Sequence, residues 1–112
     1  MQYQLDYLEL PSSDGKATGA FMSAAFGWSL VPYGPDYLGV EEAGIALGID
    51  GAVDRPAAPL PVIRTQDLDG AQAAVLAAGA EITKPQFDFP GGRRFECRAP
   101  GGLVLAVWVA KP

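Results

Sequence analysis

Residues 60–79 read LPVIRTQDLDGAQAAVLAAG, and their order decides the fold. Leu60 to Thr65 is a short branched run of strand type, and Asp67 offers an N-cap oxygen. Leu68, Ala71, Val75 and Ala78 then form one apolar helical stripe, and Gly79 stops it. The same order stands at the start of the chain. Tyr3 to Leu10 is a strand closed by Pro11, and Ser12, Ser13 and Asp14 are cap candidates. Ala17, Ala20, Phe21 and Ala24 recur at helical spacing, and Gly27 is the stop.

Three short strands follow each helix. After the first they are Trp28 to Tyr33, Tyr37 to Glu41 and Ala43 to Ile49, with Gly34-Pro35-Asp36 as a turn. After the second they are Glu81 to Phe87, Arg93 to Arg98 and Leu103 to Val109, divided by two Pro-Gly-Gly segments. The chain is therefore two βαβββ units, 1–50 and 60–112, joined by a proline-bearing linker over 51–59. A repeat of this period makes the class α+β and residues 1–112 one domain. The expectation is one curved mixed sheet, a cup, with both helices on its outer face.

Composition narrows the chemistry. The chain has 112 residues, 49% of them apolar, with 14 Gly, 10 Pro, one Cys and no His. A single domain of this length buries roughly two-thirds of its unfolded surface. One cysteine excludes an internal disulfide and paired-Cys zinc sites, and the absence of His excludes a Ser-His-Asp triad and imidazole ligands. With 8 basic and 13 acidic residues the net charge is −5. No basic run supports contact with nucleic acid or an anionic membrane. The longest apolar run near the C-terminus, Leu103 to Ala110, is far short of the ~20 residues of a membrane span. The start of the chain has no secretory pattern, so the expected location is the cytoplasm, with Cys97 a reduced core residue.

The residues also resemble a known superfamily. The resemblance is carried by Tyr7-Leu8-Glu9-Leu10-Pro11 with Asp14 and Phe21, and by Ala25-Phe26-Gly27-Trp28. It continues in Phe87 to Phe95 (FDFPGGRRF), in Pro100-Gly101-Gly102, and in Leu105-Ala106-Val107-Trp108. Together, in this order, they are similar to the vicinal oxygen chelate superfamily of glyoxalases, bleomycin resistance proteins and extradiol dioxygenases. That resemblance implies a cup with one divalent metal held by His, Glu or Gln near the centres of the first and last strands of each unit. Here those positions carry Tyr7, Leu60, Ala106 and either Ala46 or Gly48. Leu, Ala and Gly offer no side-chain donor and Tyr is a poor ligand, so no metal and no other cofactor is expected.

Strand alternation places the remaining candidates. With Tyr7 toward the cup, Glu9 follows it, and Leu8 and Leu10 pack under the helix. Leu60, Val62 and Arg64 share the cup face, as do Val104, Ala106 and Trp108, whereas Ile63, Leu103, Leu105 and Val107 face the core. The expected ligand-binding residues are thus Tyr7, Glu9, Leu60, Val62, Arg64, Ala106 and Trp108. Tyr7 and Trp108 either touch a ligand or fill the cup, and the plainer reading of Glu9 and Arg64 is a structural ion pair. Asp88 to Arg94 offers two arginines beside glycine N–H groups. Its plainer reading is a hairpin whose arginines are solvated or paired with Asp88 and Glu96.

Three functions remain open. The first is a metal-free member that binds a small aromatic or cationic molecule, as a homodimer. The second is a divergent metal-dependent lyase, isomerase or dioxygenase-type enzyme with atypical ligands, in which Glu9 is the general base and Tyr7 an oxyanion donor or weak metal ligand. The third is a non-catalytic structural or regulatory paralogue with a filled cup.

Overall fold

The computed structural model describes residues 2–112. Its elements run β1 (Gln4–Pro11), α1 (Gly15–Phe26), β2 (Ser29–Pro32), β3 (Tyr37–Glu41), β4 (Ala46–Asp50), β5 (Leu60–Arg64), α2 (Leu68–Ala77), β6 (Glu81–Phe89), β7 (Gly92–Arg98) and β8 (Val104–Ala110). The α+β class and the doubled βαβββ order stand as expected. Two compact units emerge, Tyr7–Leu60 and Pro61–Pro112, the latter joined by the chain up to Asp6.

In the first unit the strand order is β2-β3-β4-β1. β1 runs parallel to β4, and β3 is antiparallel to both β4 and β2. The long connection from β1 through α1, β2 and β3 permits that parallel pair, which a short hairpin turn could not. Asp14 caps α1, with the Ala17 N–H donating to its carboxylate at 3.1 Å, and Gly27 ends the helix in the left-handed region. Val40, Leu47 and Ile49 form the core, with Leu8, Leu10, Met22, Trp28, Leu30 and Leu38 packed against them.

The apolar repeat of α1 is not its buried side. Ala17, Ala20, Phe21 and Ala24 are all exposed, and Gly19 is the buried residue. A Cβ on Gly19 would stand 2.9 Å from Leu38 Cδ1 and 3.2 Å from Leu30 Cδ1. The helix therefore lies close on the sheet along its glycine side, and apolar spacing alone does not reveal that. The third strand also starts later than expected, at Ala46 rather than Ala43. Glu42 and Gly44 both take positive φ, 72° and 95°, which widens the turn before it.

The second unit has the order β5-β8-β7-β6, with β5 parallel to β8 and the other pairs antiparallel. Asp67 caps α2, accepting from the Gly70 N–H at 3.0 Å. Leu68, Ala71, Phe95, Cys97 and Val107 are its core, joined by Ile63, Val75, Ile82, Leu105 and Val109. The alternation expected for β5 and β8 holds, apart from Leu103. That residue lies in the turn ahead of β8 and is 55% exposed. Residues 51–59 form neither helix nor strand. Among the described residues no helix is long and apolar enough to cross a membrane.

Candidate functional site

In the Tyr7–Leu60 unit the face of the sheet opposite Leu8 and Leu10 carries a compact polar cluster. Register pairs Tyr7 with Ala46, Glu9 with Gly48, and Gly48 with Gly39, so these residues share one face. Tyr37 donates its hydroxyl to the Glu9 carboxylate at 2.9 Å, and the hydroxyls of Tyr7 and Tyr37 lie 2.5 Å apart. A phenol has one O–H to give. With Tyr37 spending its proton on Glu9, Tyr7 donates to Tyr37, and the chain of donation runs Tyr7 to Tyr37 to Glu9.

Glycine makes room for this arrangement. A Cβ on Gly48 would stand 1.9 Å from the Tyr37 hydroxyl and 2.0 Å from that of Tyr7, and one on Gly39 would meet the Tyr33 ring at 2.5 Å. Three tyrosines thus lie over two strand-interior glycines, a close approach that glycine alone permits. Glu9 is buried, at 6% exposure. Burial first, then the charge of Glu9, then the hydrogen bond from Tyr7 push the Tyr37 phenol well above the usual tyrosine range. Tyr37 therefore acts only as a donor and acceptor of hydrogen bonds and does not ionise at ordinary pH.

The second unit presents a row of alternating cations and aromatics. Register aligns Arg64 with Trp108, Trp108 with Arg94, and Arg94 with Phe87 across β5, β8, β7 and β6. The Arg64 guanidinium lies over the Trp108 ring, 5.1 Å from its centroid, and Arg94 lies 5.4 Å from the centroid of Phe87. The Trp108 indole N–H donates to Asp6 Oδ1 at 3.0 Å, and the Phe89 ring is 6.1 Å away. The neighbouring row pairs Val62 with Ala106 and Ala106 with Glu96, and Glu96 binds Arg94 at 2.9 Å.

The expected site residues therefore gather around two centres, each within its own unit. Tyr7 and Glu9 meet at Tyr37, and Arg64 lies over the Trp108 ring, with Val62 and Ala106 buried in the neighbouring row. The plainer reading of Arg64 is an ion pair, and its contact is instead a cation–π contact with Trp108. The Asp88 to Arg94 hairpin follows its plainer reading, since Arg93 binds Asp88 at 2.9 Å and Arg94 binds Glu96. Beside that hairpin a recess of about 460 Å3 is lined by Phe89, Arg93, Val109 and Lys111, and none of the expected residues lines it. Tyr37, Asp6 and Phe89 were missed. The signal for Tyr37 was available in Gly39 and Gly48, interior glycines of adjacent strands.

The donor set at the metal positions does not fit a divalent ion. Leu60 and Ala106 are buried hydrocarbon, Ala46 and Gly48 have no donor atom, and the Tyr7 hydroxyl is engaged with Tyr37. Among the described residues no group of three His, Cys, Asp or Glu side chains converges.

The profile of the Glyoxalase/Bleomycin resistance protein/Dioxygenase superfamily matches residues 4–107. The chain belongs to that superfamily. No curated protein sequence matches this superfamily member significantly. Solved structures show its fold at low identity. A hypothetical protein from Bacillus halodurans C-125 has a TM-score of 0.82 at 10% identity, covering 100% of this chain and 97% of that one. Methylmalonyl-CoA epimerase from Mycobacterium tuberculosis has a TM-score of 0.74 at 14% identity, covering 96% and 88%. A Mn(II)-bound glyoxalase from Novosphingobium aromaticivorans has a TM-score of 0.65 at 17% identity, covering 96% of this chain and 38% of that one.

Proposed function

We propose that this superfamily member binds a small aromatic molecule on the sheet face that carries Trp108, and does so without a metal. The observation that carries the reading is the setting of Trp108. Its indole is oriented by Asp6, capped by Arg64 and flanked by Phe89. A flat apolar ring held by a few placed polar groups is the composition of most small-molecule sites. The hydrocarbon at Leu60 and Ala106 supports the metal-free half of the reading, because a divalent ion needs several oxygen or nitrogen donors there.

The test is a thermal-shift screen of flavins, aromatic acids and aromatic amines, run with and without a chelator. A binder raises the unfolding temperature in proportion to its saturation. The expected result is at least one aromatic compound that stabilises the wild type, not Trp108→Ala, equally in chelator. Near-stoichiometric divalent metal in protein purified without chelator, lost together with binding, overturns the reading.

One observation favours an enzymatic second reading, the buried Glu9 with the Tyr37 phenol on it and Tyr7 behind Tyr37. A carboxylate so placed is a candidate base for a proton beside a carbonyl, with Tyr37 turning its O–H from Glu9 to the resulting oxyanion. Deuterium exchange into α-keto and thioester compounds in heavy water, abolished by Glu9→Gln, would select this reading over simple binding.

A further inference from the structure

We infer that the ligand of the Trp108 face is an aromatic carboxylate, and that Arg64 is the group that recognises its anionic end. The inference rests on the aromatic-binding reading and names its ligand class. It starts from how the five arginines are used. Arg55 donates to the Ala52 carbonyl, Arg93 to Asp88, Arg94 to Glu96 and Arg98 to Glu81. No acceptor among the described residues takes a hydrogen from Arg64, which is exposed and whose contact is the Trp108 ring.

A cation–π contact uses the charge of a guanidinium and takes up none of its hydrogen bonds to oxygen acceptors. The contact restrains the fork without consuming its donors. A carboxylate is the partner whose two oxygens match two parallel N–H groups, and such bidentate pairs are both short and directional. That restraint also spares part of the side-chain entropy that a free arginine loses when it binds. The aromatic part of the ligand then has Trp108 and Phe89, rings 6.1 Å apart, as its apolar surroundings.

The charge distribution favours an anion here despite the net −5 of the chain. Residues 7–60 carry two basic and seven acidic side chains, so the whole excess of negative charge sits in that unit. The remainder carries six of each sign and is neutral. On the Trp108 face itself Arg64 and Arg94 lie one strand to either side of Trp108, and Lys84 lies 4.6 Å from the Phe87 centroid. Asp6 and Glu96, the acidic groups in contact with Trp108 and Arg94, each already accept a hydrogen bond from that partner.

The experiment compares three probes of one shape, naphthoate, naphthylmethanol and naphthylmethylammonium. Binding is followed by NMR at the Trp108 indole N–H, in a Trp28→Phe background that leaves one indole signal. Naphthoate is expected to bind about tenfold or more tightly than the alcohol, the order of one charge-assisted bidentate contact. Arg64→Gln should abolish the preference, so that this variant binds naphthoate no more tightly than it binds the alcohol. Arg98→Gln removes the same charge from an exposed site and should change neither. If alcohol and acid bind equally, the carboxylate inference falls and the aromatic-binding reading stands. If the ammonium binds best, or Arg98→Gln weakens naphthoate as much as Arg64→Gln does, the inference also falls. If none of the three moves the indole signal, the aromatic-binding reading itself fails.

Discussion

Gly48 and Tyr37 fit together only because Gly48 has no side chain: a Cβ there would stand 1.9 Å from the phenol oxygen of Tyr37. That oxygen has no free direction of retreat, since it is held by Tyr7 and by Glu9. Gly48→Ala must therefore break the hydrogen-bond chain or bend the strand. The expected cost is about 1–3 kcal/mol, the usual range for overpacking. Gly39→Ala makes the informative comparison. Its Cβ would meet the Tyr33 ring at 2.5 Å, but Tyr33 is 64% exposed and can swing aside. Urea denaturation should show a clear loss of midpoint for Gly48→Ala and a much smaller one for Gly39→Ala. Equal losses would mean that the tyrosine cluster is not what holds Gly48 in place.

Tyr37 should govern part of the response to alkali. Burial and the charge of Glu9 raise its folded-state value, whereas the unfolded chain loses that proton at about 10. Below that pH both states keep the proton and the contribution of Tyr37 to stability is complete. Above it the unfolded chain binds fewer protons than the folded one, so stability falls as pH rises, by at most about 1.4 kcal/mol per pH unit for one group. Tyr37→Phe should flatten this alkaline decline. Tyrosinate absorbance offers a second check. Near pH 10 (about the ordinary tyrosine value) the folded wild type and Tyr37→Phe should show the same rise, and after unfolding the wild type should show about half a tyrosinate more, because a group at its own pKa is half ionised.

The limits of the sequence are visible in these same residues. Caps and stops mark the elements locally, and Asp14, Asp67 and Gly27 do what their positions imply because capping is a contact within a few residues. Faces of the strands are legible too, since alternation has period two: Leu8 and Leu10 pack inward while Tyr7 and Glu9 share the other side. The Tyr37–Glu9 bond is different. It joins residues 28 apart and exists only once β3, β4 and β1 are in register. The contact of Arg64 with Trp108 likewise depends on the pairing of β5 with β8.

The α1 correction gives a prediction of its own. Phe21 belongs to the apolar repeat of α1, yet it is 60% exposed, edge-on to Phe26 at 5.9 Å. Phe21→Ser should then change stability by no more than about 0.5 kcal/mol, as for most surface substitutions. Phe95 is the opposite case, fully buried between α2 and the sheet of its unit. Phe95→Ala should cost about 3–5 kcal/mol, lost transfer energy plus a residual cavity. A domain of this size has about 5–15 kcal/mol in hand. Thermal unfolding of the two variants tests the assignment of inside and outside directly.

Cys97 reports on the integrity of that same core. It is 1% exposed, packed with Phe95 and Val107, and burial pushes its thiol up from the usual value. The reactive species is the thiolate, so two barriers act together, access and protonation. In the folded protein an aromatic disulfide reagent should label Cys97 only as fast as the core opens, and in denaturant it should label one thiol per chain at once. Phe95→Ala should accelerate native-state labelling, because it loosens the packing around the sulfur, and Gly48→Ala should not, since it acts in the other unit. The sign of the pH effect follows from the raised thiol. The unfolded chain loses the proton first, so the stability contributed here is whole below the ordinary thiol value and declines as pH rises past it. Rapid labelling of the native wild type would place Cys97 at the surface and contradict the core assignment.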